Sequence, residues 1–175
     1  MARVLTDGEI EALLNEAKAL PAGWRNRLRL RPKANSKFAQ QDLEIPRDAG
    51  GRFRLVLKTS LINPLDFSVI LLLEEDGGDY RLTRYNGLHP SQHTNQWERR
   101  RGDRNSTFGP AFHIHRATER YQLEGLDIDG FAEVTDKYAD FESALSCFVQ
   151  ECGFRPPADE PSPQLSLFEQ DANGT

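Results

Sequence analysis

The sequence has little of what marks secreted scaffolds, membrane spans or repeat arrays. Only two of its 175 residues are cysteine, Cys147 and Cys152. They sit five apart in an expected helix and so face different ways; no disulfide is expected, and a cytoplasmic location fits. The longest apolar run, Val69 to Leu73, stops at Glu74, far short of the ~20 residues that a membrane-spanning helix needs. The opening residues MARVLTDGEIEALL lack the apolar run of a secretory signal. No internal repeat is found, which sets aside solenoid and propeller architectures. No cofactor and no membrane partner are expected.

What is present suits one folded unit. At 38% hydrophobic residues the chain can bury a single sizeable core, expected as one domain over residues 1–154 with a tail over 155–175. The net charge of −5 is unevenly spread. Trp24 to Lys58 holds ten basic residues against three acids, and Tyr80 to Tyr121 holds eight arginines against three. Such asymmetry marks a candidate polyanion-binding face.

Thr6-Asp7-Gly8-Glu9 reads as a capping box that opens a helix, with Ile10, Leu13 and Leu14 on its apolar stripe. Trp24 to Arg31 alternates and reads as a strand, with Arg25, Arg27, Arg29 and Arg31 on one side. Phe38–Ile45 and Arg52–Thr59 also read as strands. Phe67–Leu73, nearly all apolar, reads as a central strand covered on both faces. Asp76 to Asp79 closes a hairpin into Tyr80–Tyr85. Leu88 to Pro110 has no apolar period and reads as a long loop, a feature that is usually functional or disordered in a compact domain. Phe112–His115 resumes a strand, Phe131–Val134 is a last short one, and Asp140 caps a helix with Phe141, Leu145 and Phe148 on its stripe. The fold class is α+β: an antiparallel, meander-like sheet with N- and C-terminal helices on one face. The other face is expected to carry Arg25, Arg27, Arg29, Arg54 and Lys58 as a nucleic-acid-binding platform, with His113 and His115 beside them.

All four histidines lie between Tyr80 and Tyr121. Histidine titrates near neutral pH, so His113 and His115 are candidates for general acid–base work on RNA. Arg84, Arg116 or Arg120 would supply charge to the phosphorane, and Tyr121 or Glu119 would assist. The spacings His89-x3-His93 and His113-x-His115 would also suit metal ligands. A structural or plain binding role is the third option.

Further residues carry a resemblance. RYNG, then HTN, then FHIH followed by ATERY resembles an uncharacterised bacterial family, a domain of unknown function, over about Arg52 to Phe154. More distantly, the order of Arg-Tyr, histidine loop and histidine pair is similar to TumE-type toxins of toxin–antitoxin pairs, which would imply an antitoxin partner. The stretch Asn95–Thr107, with WERRRGDRN, is longer than that family's pattern.

Arg155 to Thr175 has four prolines among its first nine residues and no core-forming period, and is expected to be disordered. Within it, Gln164-Leu165-Ser166-Leu167-Phe168 closely resembles the bacterial sliding-clamp-binding motif. That resemblance implies the DNA polymerase III sliding clamp, its beta subunit, as partner. Leu165, Leu167 and Phe168 would fill an apolar groove while Gln164 makes polar contacts. Together these readings point to a clamp-recruited nucleic-acid-binding protein, a toxin or a mobile-element or defence factor acting on replication. The alternatives are a toxin ribonuclease and an accessory binding module.

Overall fold

The structure, a computed structural model, describes residues 3–158 of the chain. Helix α1 (Asp7–Asn15) starts with the expected capping box: Thr6 accepts from the Glu9 amide and Glu9 reaches back to Thr6. Strand β1 (Lys18–Ala19) and helix α2 (Trp24–Arg27) follow. Next come β2 (Arg31–Pro32), β3 (Phe38–Pro46), β4 (Arg52–Ser60), β5 (Phe67–Glu75) and β6 (Gly78–Asn86). The long loop contains β7 (His93–Thr94), α3 (Gln96–Arg100) and β8 (Thr107–Phe108). Strand β9 (His113–Arg116), helix α4 (Glu119–Leu123), strand β10 (Phe131–Val134), helix α5 (Phe141–Glu151) and strand β11 (Phe154–Arg155) complete the described residues.

Seven strands form one antiparallel meander in the order β10-β9-β6-β5-β4-β3-β2. Two small ladders stand apart: β7 with β8, and β1 parallel to β11. Alternation sorts the side chains. Phe53, Leu55 and Leu57, with Phe67, Val69, Leu71 and Leu73, point to one face and are almost fully buried. They pack with Ile10 and Leu13 of α1, Trp24 of α2, and Leu145, Phe148 and Val149 of α5 in one core cluster. Burying a side chain of this size contributes about 1.5–3 kcal/mol. Among the described residues no helix is long and apolar enough to cross a membrane.

Four expectations need correction. Trp24–Arg31 is no strand; it is a short helix and a turn, entered through Gly23 at φ 68°. Trp24 and Leu28 are four apart and both buried, a spacing that helix and strand periods share, so alternation alone misassigned it. Strand β5 is central but is not covered on both sides, because Ile70 and Leu72 are only half-buried on the second face. The loop from Leu88 to Pro110 carries two short strands and a helix turn. Arg155, placed in the tail, belongs to β11, and its carbonyl accepts from Leu20. Gln164, Leu165, Leu167 and Phe168 lie outside the described residues.

Candidate functional site: the histidine stack and the open sheet face

The second sheet face is where the four histidines meet. His113 and His115 project from β9 on the side opposite Ile114, as alternation requires, and loop 88–110 closes over them. Ring centroids lie 4.7 Å apart for His93 and His115, 5.0 Å for His113 and His115, 5.8 Å for His93 and His113, and 5.9 Å for His89 and His113. Phe108 of β8 covers His113 at 5.3 Å. Both β9 histidines are buried, at 5% and 3% exposure.

Partners set the tautomers. Asn86 takes the Ser68 hydroxyl on its carbonyl oxygen (2.8 Å), so its amide nitrogen donates to His113 Nε2 at 3.2 Å. The His113 Nδ1–H donates to the Ala111 carbonyl at 2.6 Å. Both ring nitrogens of His113 are thus occupied in the neutral form. His115 Nδ1–H donates to the Asp129 carbonyl at 2.8 Å. Arg84 Nη2, 3.2 Å from that same nitrogen, cannot also donate to it; it lies equally close, 3.2 Å, to Asp129 Oδ2. His93 donates from Nε2 to Asn95 Oδ1 at 2.9 Å, and His89 pairs with Asp66 at 2.5 Å. Burial pushes His113 down to about 4, helped by neighbouring histidines and Arg84. Burial, then Arg84, pushes His115 down to about 2. At neutral pH these are uncharged imidazoles that hold a loop, not ready proton donors. Among the described residues no group of three His, Cys, Asp or Glu is arranged to hold a metal ion.

Asp129 is the buried anion of the site. It is 1% exposed, with Arg81 at 3.0 Å and Arg84 at 3.2 Å. Both arginines reach it because of an irregularity between β5 and β6: the register shifts at Leu71/Leu72, so Leu72 pairs with Arg81 and Ile70 with Arg84. Strict alternation would place those two arginines on opposite faces. A groove of about 590 Å³ crosses this face, floored by Val56, Ile70 and Leu72. Arg54, Lys58, Arg81 and Arg84 line it, but so do Asp42, Asp79, Asp127 and Asp129. A second cleft of about 350 Å³ adjoins it at Arg84, Asp127 and Asp129 and is lined by His93, His115 and Tyr121.

The candidates taken from sequence therefore divide. Arg84, His113 and His115 come together, with Tyr121 at the cleft wall. Arg120 does not join them: it pairs with Glu98 at 2.6 Å, and the Tyr121 hydroxyl donates to the same carboxylate at 2.6 Å. Glu119 caps nothing in the cleft and meets Asp7 instead. The expected all-basic sheet platform is absent. Arg54 is neutralised by Glu74 at 3.1 Å, Lys58 lies 4.0 Å over the Phe38 ring, and the groove carries as many acids as bases. Arg25, Arg27 and Arg29 belong to α2 and the turn after it. There they form an exposed ribbon with Arg31, Lys33 and Lys37, and no acid occurs between Lys18 and Gln41.

Sequence reasoning missed Asp129, Asn86, Asn95 and Glu98. Asn95 is buried; its side chain accepts from the Ala132 amide at 2.8 Å and donates to the Ala132 carbonyl at 2.9 Å. Nothing local distinguishes these polar residues, although Asn86 and Asn95 do lie inside the RYNG and HTN motifs. Comparison of the chain with protein-family models, with curated proteins and with solved structures found no match.

Proposed function

We propose that this chain is a nucleic-acid-binding protein recruited to the DNA polymerase III sliding clamp by Gln164 to Phe168. The observation that carries the nucleic-acid half is the ribbon Arg25–Lys37. Its six cations are exposed, and among the described residues only Arg25 makes an ion pair, at 3.6 Å with Glu142. Exposed cations close together along the chain can displace counterions from a phosphate backbone with little desolvation penalty. The clamp half rests on the pentapeptide itself, a Gln followed by Leu-x-Leu-Phe at 164–168. A short peptide with few anchors binds modestly alone; a second attachment through nucleic acid would raise the effective affinity. Occupying the groove that polymerases use would restrain replication, which fits a toxin, mobile-element or defence role.

The ribonuclease alternative draws less support. His113 has both ring nitrogens engaged, and burial disfavours the charged form of both β9 histidines.

Two measurements test the proposal. Full-length chain with Leu167→Ala and Phe168→Ala should lose retention on immobilised clamp; undiminished retention would refute recruitment. Replacing Arg27, Arg29 and Arg31 with Gln should weaken oligonucleotide binding. It should also flatten the plot of log affinity against log salt by about 0.7–0.9 for each phosphate that is no longer neutralised. An unchanged slope would remove the ribbon from the interface.

A further inference from the structure

A second groove lies on the helix side of the molecule, away from the histidines. It has a volume of about 210 Å³ and sits where α2 meets the N-terminal end of α5. Trp24, Leu28, Leu30, Leu57, Phe141 and Leu145 form its floor, and Arg25 and Arg29 stand on its rim. Its volume suits one or two large apolar side chains. Glu142 is the acid on the rim; it is 70% exposed and 3.6 Å from Arg25, a geometry worth little in solvent.

The described chain ends close by. The Leu20 amide donates to the Arg155 carbonyl at 2.9 Å, which puts β11 four residues from Trp24. Four residues span at most ~14 Å, while the ten from 158 to 168 can span ~35 Å. The remaining residues, 159–175, include four acids (Asp159, Glu160, Glu169 and Asp171) and no lysine or arginine. Their large apolar residues are Leu165, Leu167 and Phe168, the same three that define the clamp motif.

We propose that this groove receives the chain's own C-terminal segment: Leu165, Leu167 or Phe168 sits on the apolar floor, and the flanking acids face Arg25 and Arg29. The inference rests on the clamp-recruitment reading and adds regulation to it. An exposed apolar hook would meet many surfaces; a groove within reach, of opposite charge, shelters it. The rim arginines also belong to the nucleic-acid ribbon. Nucleic acid and the acidic segment therefore compete for them, so binding nucleic acid releases the hook to the clamp. By linkage, clamp binding must raise affinity for nucleic acid by the same factor.

The test compares the full-length chain with its Leu165→Ala, Leu167→Ala, Phe168→Ala variant by amide NMR. Shifts at Arg25, Arg29, Leu30 and Phe141 are expected; unmoved groove amides overturn the docking. In parallel, full-length chain with Arg25→Glu and Arg29→Glu should bind clamp several-fold more tightly than wild type in the absence of nucleic acid. If motif replacement abolishes clamp binding while the charge reversal leaves affinity unchanged and the amides stay put, docking is wrong and recruitment stands. If the amides move but neither protein binds clamp, the segment docks and recruitment is wrong.

Discussion

At the scale of single residues, the motif residues work as fasteners. In RYNG, Tyr85 fills the core and donates to Glu151, Asn86 links Ser68 to His113, and the Tyr138 hydroxyl donates to the Asn86 carbonyl. Gly87 is there because a Cβ would sit 2.0 Å from the Leu65 carbonyl oxygen and 2.7 Å from the Phe67 ring. Gly87→Ala should therefore cost about 3 kcal/mol or more, lowering the melting temperature by ~6–12 °C in a chain of this size; calorimetry would check it. His113 makes a second prediction. Its folded value is pushed below the ordinary 6.5 to about 4. Between those limits the unfolded chain binds the extra proton, so stability is held above pH 6.5 and lost as pH falls toward 4. The loss should be on the order of 2–3 kcal/mol by pH 4, and His113→Asn should flatten the curve in urea titrations across that window. The motif residues could be picked out of the sequence as a set. Their roles could not, because each partner comes from a segment far away in the chain.

At the scale of elements, the ends matter most. Helix α1 has no basic residue in its last turn, yet Lys18, 0% exposed, donates to the carbonyls of Leu13 (2.7 Å), Leu14 (3.1 Å) and Glu16 (2.8 Å). It also stands 4.3 Å over the Phe53 ring. One ammonium satisfies carbonyls that the helix leaves without partners. Lys18→Met should strand those acceptors and cost about 2–4 kcal/mol, measurable as a shift in urea midpoint at constant slope. Burial lowers Lys18 to about 8 from the ordinary 10.5. Between those limits the unfolded chain again holds the extra proton, so this group makes the wild-type protein more stable as pH rises through that window. The direction matches that of His113, in an alkaline range instead of an acidic one; Lys18→Met should lose the rise. The capping box at Thr6 and the cap at Asp140 were legible from residue type, and the long strands β3 to β6 from their regular period. The two-residue strands were not, and neither was α2, whose buried pair fits two periods equally.

At the scale of the whole molecule, short connections join β2 to β6 in sequence order, while the long loop 88–110 separates β6 from its neighbour β9; alternation along the chain was enough to expect an antiparallel, meander-like sheet. The charge of the open face was not legible. Counting basic residues along the chain put five of them on one platform, whereas the fold sends three to the helix side and answers the others with Glu74, Phe38 and the groove acids. Polyanion binding should therefore respond to the ribbon and not to the groove. Arg54→Gln should change oligonucleotide affinity less than about twofold, while the Arg27, Arg29, Arg31 triple change should weaken it at least about tenfold at low salt. Filter binding at two ionic strengths separates these outcomes.

The Asn95 amide occupies the backbone of Ala132 on β10, the last strand at that end of the meander. A terminal strand offers unpaired amides and carbonyls to any passing chain. Here one side chain stands in for the missing neighbour and stops the ladder from growing. A chain with a smaller side chain at that position would leave the buried amide and carbonyl of Ala132 without partners at the sheet's own border.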